Sequence, residues 1–385
     1  MSKYNIVYPD YDNCVLNLAN SILKYYNVET KYNGLTSLDN ILEKKFKNIV
    51  LIILDGMGSN LLKNISPSGF FSHNKLENIT SVYPSTTTAA LNTYYSGKPP
   101  IETGWIGWSQ YFKEYGRALD MFPRTDSYTE QKYPDAKIDV FDLLKYKTIF
   151  EQIEESSPNV KGYEINPVHC ETRSNRCMKA NTVKIMCEDI ESICKNTDNN
   201  FIFAYYDAPD KILHRKGCSS QEVKDFVLES QDLIENLCQN LSGTNTLVLV
   251  SADHGHTDIN SEYDMLNLTD INECLIMPPS LEPRALSFWV KENKKTQFEK
   301  VFNDTFKDEF ILFTKKEFLD KHLLGYGTPH PKIDDFIGNY IAVSKADAVI
   351  NLTTNISKEK YKKVSTHCGI TENEMVVPLI AKPIN

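Results

Sequence analysis

Three stretches constrain the fold of this chain more than any other feature. Asn48–Leu54 (Asn-Ile-Val-Leu-Ile-Ile-Leu), Asn200–Tyr206 (Asn-Phe-Ile-Phe-Ala-Tyr-Tyr) and Thr246–Ser251 (Thr-Leu-Val-Leu-Val-Ser) are apolar runs rich in β-branched and aromatic residues. A strand without polar alternation has both faces covered, the condition of a parallel sheet between layers of helices. Each run leads into acid: Asp55-Gly56, Asp207, and Asp253-His254. In open α/β sheets the ligand crevice lies beyond the carboxyl ends of the strands, so these residues share one rim. The expected fold class is α/β, a doubly wound and mostly parallel sheet.

Amphipathic segments fill the intervals. Asn13–Tyr26 carries Val15, Leu16, Ala19, Ile22, Leu23 and Tyr26 on one helical face. Leu38–Lys45, Phe141–Ser156, Ala180–Lys195 and Glu222–Leu241 also read as helices, and Met375–Ala381 as a last strand. Tyr115–Pro134 is polar and reads as an irregular surface excursion. Residues 260–343 interrupt the rhythm with a strand (Ala285–Val290), a helix (Thr296–Phe306) and strands at Glu309–Thr314 and Tyr340–Val343. We expect an inserted smaller α/β lobe there, with loops at Met277–Pro283 and 325–331. The catalytic core would then comprise 1–259 and 344–385.

Tyr83–Gly97 (Tyr-Pro-Ser-Thr-Thr-Thr-Ala-Ala-Leu-Asn-Thr-Tyr-Tyr-Ser-Gly) supplies a hydroxyl at the rim. Pro84 marks an extended end, Ala89, Ala90, Leu91, Tyr94 and Tyr95 recur at helical spacing, and Gly97 stops the helix. Ser85, Thr86 or Thr87 falls at the N-cap, where free N–H groups and the helix dipole attract an anion. Alone, a threonine run is a cap and a strand-terminal Asp-Gly a turn. The histidines change that reading. The chain has eight, and His214, His254, His256 and His367 fall beside Asp210, Asp253 and a late glycine. Asp210 and His214 share a face on a helical turn and can grip one ion. Asp253 and His254 are adjacent and point apart unless the chain bends, which Gly255 permits. One hydroxyl plus four such segments is the composition of a two-metal hydrolytic site.

The net charge of -9 excludes a basic nucleic-acid surface. Nine irregularly spaced cysteines suit reduced thiols better than a disulfide framework or a thiolate zinc site. The first residues lack a signal-peptide pattern, and no apolar run reaches the roughly 18 residues of a membrane span. A cytoplasmic protein with no membrane partner is expected.

Five segments together resemble a known family: Leu-Asp-Gly at 54–56, Pro-Ser-x-Thr at 84–87 before a helix, Pro-Asp-x-x-x-His-x-x-Gly at 209–217, Asp-His-Gly at 253–255 and His-x-Gly at 367–369. In this order they resemble the nucleotide pyrophosphatase/phosphodiesterase family of the alkaline phosphatase superfamily, in its soluble bacterial form. The resemblance implies an alkaline-phosphatase-like core and two zinc ions, with manganese as the other metal. Asp55, Thr87, Asp253 and His254 would hold one ion, and Asp210, His214 and His367 the other. Thr87 matches the family nucleophile and would pass through a phospho-threonine. A small phosphate ester or nucleotide-like molecule is the implied substrate. The chain departs from the pattern at Trp108, where the family has a phosphate-binding asparagine, and at Thr103, where it has a histidine. Trp105, Trp108 and His256 are taken as substrate contacts, and Arg117 and Arg284 as further anion ligands. Alternatives are a phosphomonoesterase, phosphonate hydrolase or phosphomutase of the same superfamily, or a non-catalytic metal- or phosphate-binding protein.

Overall fold

The computed structural model describes residues 4–132, 140–352 and 362–385. Its main sheet has seven strands: β1 (Asn48–Leu54), β2 (Lys75–Thr80), β3 (Val160–Asn166), β4 (Cys177–Lys179), β5 (Asn199–Tyr206), β6 (Thr246–Ser251) and β7 (Val376–Ile384). They lie in the order β2-β7-β6-β1-β5-β3-β4. β1 pairs in parallel with both β5 and β6, whereas β7 runs antiparallel to β2 and β6. Every residue of β1 is buried. The mostly parallel, doubly covered sheet expected from the apolar runs is therefore present. Its register decides the site. Ile53 is aligned with Tyr205 on one side and Ser251 on the other, so the three strands end level.

Helices α1 (Val15–Tyr25), α2 (Thr87–Ser96), α3 (Ile149–Ser156), α4 (Val183–Cys194), α5 (Asp210–Lys216) and α6 (Gln221–Asn240) flank the sheet. Their apolar faces join the β1, β5 and β6 side chains in one core, including Leu18, Ile22, Ile153, Ile190, Phe203 and Ile234. Each such fully buried side chain contributes roughly 1.5–3 kcal/mol by leaving water. The single helix expected over Phe141–Ser156 is two, Val140–Leu143 and α3. The break has a local cause: Thr148 and Glu151 form a reciprocal capping box that starts a new helix at Ile149.

A second, antiparallel sheet stands over the rim. Its order is Phe310–Thr314, Tyr340–Ser344, Ala285–Val290, Leu275–Glu282, Ser109–Phe112, Arg117–Asp120 and Thr125–Asp126. Two sequence readings are corrected here. The excursion from Tyr115 is not irregular but carries two short strands, paired through Ser109↔Asp120 and Leu119↔Asp126 (residues 133–134 of that reading lie outside the described residues). Met277–Pro283 is also mainly strand. Pro278 and Pro279 are accommodated where the register shifts between Met277 and Ser280, a bulge that does not require their missing N–H groups.

Arg284 ties this sheet to the last core segment. Fully buried, it donates Nε and Nη2 to Glu374 Oε1 and Oε2, both at 2.7 Å, and Nη1 to the Ala348 carbonyl. Its fork is satisfied, so Arg284 is an anchor, as is Arg117, paired with Asp126 at 3.1 Å. All nine cysteines are free thiols. Among the described residues no helix is long and apolar enough to cross a membrane.

Candidate active site

The level ends of β1, β5 and β6 set three carboxylates on one rim, and α2 and α5 start beside them. Asp55 leaves β1 at Gly56, where φ is +76° and an added Cβ would crowd Asp210 at 3.1 Å, so a side chain there would be strained. Asp253 is pinned by accepting from the N–H groups of Gly56 (3.0 Å) and His254 (2.9 Å) through Oδ1. The bend expected at Gly255 has a different origin. Its φ is not left-handed; instead a Cβ there would lie 2.0 Å from the Asn373 carbonyl oxygen. Glycine is needed for close approach.

One group comprises Asp55, Thr87, Asp253 and His254. His254 Nε2 lies 3.5 Å from Asp55 Oδ1, 3.4 Å from Asp253 Oδ2 and 3.2 Å from Thr87 Oγ1. His254 Nδ1 is 3.0 Å from the Gly255 carbonyl, which can only accept, so Nδ1 carries the hydrogen and Nε2 a lone pair. Asp55 Oδ1 and Asp253 Oδ2 are buried and accept no hydrogen bond. Two orphaned carboxylate oxygens and an imidazole lone pair around one point fit a cation. Burial, then Asp253 and Asp210, push the Asp55 carboxyl well above the usual range, although Tyr205 donates its hydroxyl to Asp55 Oδ2.

The second group gathers on Asp210 Oδ1, which lies 3.4 Å from His214 Nε2 and 3.6 Å from His367 Nε2. The far nitrogens meet carbonyls, His214 Nδ1 at Ser365 (2.8 Å) and His367 Nδ1 at Ser85 (3.1 Å), which aim both Nε2 lone pairs inward. Lys363 Nζ donates to His214 Nε2 at 3.4 Å, consistent with that tautomer. Burial raises the Asp210 carboxyl, but His214, His256 and His367 outweigh it and hold it well below the ordinary range. Burial lowers His214 to about 3 and His367 well below the usual imidazole value. Asp210, His254, His256 and His367 present donor atoms within 4.8 Å of one another, so the two groups adjoin through His254.

Thr86, the residue at the N-cap, does not cap α2. Its hydroxyl donates to Glu282 Oε1 at 2.9 Å, and no side chain satisfies the first N–H groups of the helix. Thr87 is therefore the first helical residue, with its hydroxyl 3.5 Å from Asp55 Oδ2. Glu282 also accepts from the Trp108 N–H at 2.7 Å, and burial raises its carboxyl. The Trp108 ring is 38% exposed and edge-on to Phe122. Trp105 has no exposed surface, and its Nε1 donates to the Leu144 carbonyl at 3.2 Å, so it is a core residue.

Glu282 and Ser365 were not singled out by sequence, Thr86 was one of three N-cap candidates, and Tyr205 read as core packing or a stacking ring with no role for its hydroxyl. Only Tyr205 carried a signal, as a hydroxyl one pair short of the strand end beside Asp55.

The model of the family described as type I phosphodiesterase / nucleotide pyrophosphatase matches residues 49–367. The chain belongs to that family. This phosphodiesterase-family protein shares its fold with solved structures of low identity. The murine ectonucleotide pyrophosphatase/phosphodiesterase 5, an inactive threonine-to-alanine variant in complex with AMP, is 14% identical with a TM-score of 0.61, over 86% of this chain and 87% of that one. The human counterpart is 13% identical with a TM-score of 0.63 over the same shares. Phosphonoacetate hydrolase from Sinorhizobium meliloti 1021, in complex with phosphonoformate, is 14% identical with a TM-score of 0.57, over 87% of this chain and 90% of that one. No curated protein matches in sequence. The chain shares its α/β fold with these structures.

Proposed function

We propose that this family member is a two-zinc phosphodiesterase in which Thr87 attacks phosphorus. The observation that carries the reading is the position of Thr87 Oγ1. It lies at the uncapped start of a ten-residue helix, 3.2 Å from His254 Nε2, beside the orphaned oxygens of Asp55 and Asp253. Asp55, Thr87, Asp253 and His254 would hold one ion and Asp210, His214 and His367 the other. The imidazole share of the donors favours zinc over manganese. Bound zinc would supply positive charge to the phosphoryl oxygens and make the Thr87 hydroxyl more acidic. As Oγ1 bonds to phosphorus the ester oxygen departs, and the proton that Thr87 releases passes through solvent to that leaving oxygen; water then cleaves the phospho-threonine, its oxygen going to phosphorus and a proton returning to Oγ1. The N–H groups of Thr87 and Thr88 at the start of α2, unlike those of Ala89 and Ala90 that donate to the Thr86 carbonyl, would face the charge that develops on the phosphoryl group.

The substrate would be a small phosphate ester or nucleotide-like molecule, like the AMP in the murine relative's complex. A cytoplasmic setting is part of the reading, supported by nine free thiols. One observation favours the phosphonate hydrolase or phosphomonoesterase alternative. At Trp108 an indole stands where the family has an amide, so the side chain's one donor is Nε1–H, and the backbone N–H already serves Glu282.

The test is hydrolysis of bis-p-nitrophenyl phosphate against p-nitrophenyl phosphate by zinc-loaded protein. The diester should turn over faster, and Thr87→Ala should abolish it while leaving thermal stability unchanged. Equal or better monoester turnover would favour the alternative. Two bound zincs without turnover of any phosphate ester would leave a binding protein.

A further inference from the structure

His256 stands two residues beyond His254 and is buried, yet the seven-residue ligand set above does not use it. Its Nδ1 is 3.1 Å from Ser365 Oγ. That hydroxyl has one hydrogen, which it donates to the Leu213 carbonyl at 2.7 Å. Ser365 Oγ therefore accepts from His256, Nδ1 carries the hydrogen, and Nε2 presents a lone pair. This lone pair lies 2.5 Å from Asp210 Oδ1, closer than the Nε2 atoms of His214 and His367 at 3.4 and 3.6 Å. Two lone pairs at that separation repel unless a proton or a metal ion lies between them, and the neighbouring imidazoles of the same group favour the metal ion. The ring is 4.7 Å from His214 and 5.2 Å from His367, centroid to centroid. His256 also belongs to the tight group with Asp210, His254 and His367, and His214 Nε2 lies 3.4 Å from Asp210 of that group. Ser365 serves both outer imidazoles, its carbonyl holding His214 and its hydroxyl His256.

We propose that His256 is a fourth protein ligand of the second ion, completing a set of one carboxylate and three imidazoles with Asp210, His214 and His367. The proposal rests on the two-zinc reading. Its consequence is chemical. Four protein donors fill a tetrahedral zinc, so this ion is held firmly and takes a further oxygen ligand only by becoming five-coordinate. The first ion has fewer imidazole donors and is the more exchangeable of the two.

The test uses full-length protein loaded with cobalt(II) in place of zinc, comparing wild type with His256→Ala and the bulkier His256→Gln. Metal content, the visible d–d spectrum and thermal stability are read together. In wild type two ions bind. In the variants we expect the affinity for one ion to fall by 100-fold or more and its d–d band to change in shape and intensity, with free imidazole restoring both in His256→Ala. A mere hydrogen bond from His256 to Asp210 would lower affinity without altering the band or responding to imidazole, and that result overturns the proposal alone. Wild-type protein that binds fewer than two ions overturns the proposal together with the two-zinc reading. If His256→Ala does not fold, His256→Gln decides by its spectrum.

Discussion

Asp55 shows how a functional group can work against the fold that holds it. Its carboxyl is buried with one oxygen unpartnered and two other carboxylates near it, and burial first, then Asp253 and Asp210, raise it well above the usual range. A raised folded value means the native state keeps a proton that the unfolded chain releases near pH 4, so the stability associated with that proton is lost as pH rises. Asp55→Asn removes the need to take up that proton on folding and gives Asp253 Oδ2 an amide donor within reach. In metal-free protein at pH 7 the variant should be more stable than wild type by on the order of 1 kcal/mol or more. The same variant should lose most of its affinity for one zinc. Thermal denaturation and metal analysis of one preparation check both. A metal-free Asp55→Asn that melts below wild type would show that the carboxylate is not the strained group described here. The trade is local: the atoms that cost stability are those that orient a cation.

At the scale of elements, the parallel strands were readable because being covered on both faces leaves a signature in composition. The apolar runs at Asn48, Asn200 and Thr246 could belong to little else, and their acidic ends lay at the crevice by the general rule for such sheets. The second sheet was harder. Ser109–Phe112 and Arg117–Asp120 are four-residue strands, too short to show a period; the first pairs with Leu281, more than 150 residues distant, and the second joins the sheet only through the first and Thr125–Asp126. The helix break at Thr148 did have a signal, the Thr-x-x-Glu box, masked by apolar spacing that continued across it. In the site, side chains at strand ends were legible by type, whereas Tyr205, Glu282 and Ser365 act through a register or an outer contact that no spacing encodes. Gly255 falls between the two cases, flagged correctly but for the wrong reason. Its role is to let the turn after β6 touch the backbone at Asn373, so Gly255→Ala should overpack that contact at a cost of about 1–3 kcal/mol or more. A lower melting temperature accompanied by loss of metal from the His254 side is the expected result. Unchanged melting would mean the two segments separate easily.

For the whole molecule, the site makes stability depend on pH through several groups of one sign. Burial is the leading cause in each of His214, lowered to about 3, His256, lowered, and His367, lowered well below the usual value. In the unfolded chain these imidazoles titrate near pH 6.5. Above that value both states leave them neutral and stability is fully present. As pH falls from about 6.5 toward 3 the unfolded chain takes up protons that the native site refuses, so metal-free stability is lost across that window. Asp55 opposes the trend with one native proton, against as many as three on the unfolded side. The net slope should approach about 1.4 kcal/mol per pH unit for each proton in excess. Zinc binds the native state and requires neutral nitrogens, so it should raise the melting temperature at neutral pH and steepen the acid loss. Melting temperatures from pH 8 to pH 4.5, with chelator and with zinc, test both statements. A chelated protein whose melting point is level between pH 7 and pH 5 would mean that the imidazoles titrate normally. The inward-facing lone pairs on Nε2, from which the cation sites are read, would then not be what the fold enforces.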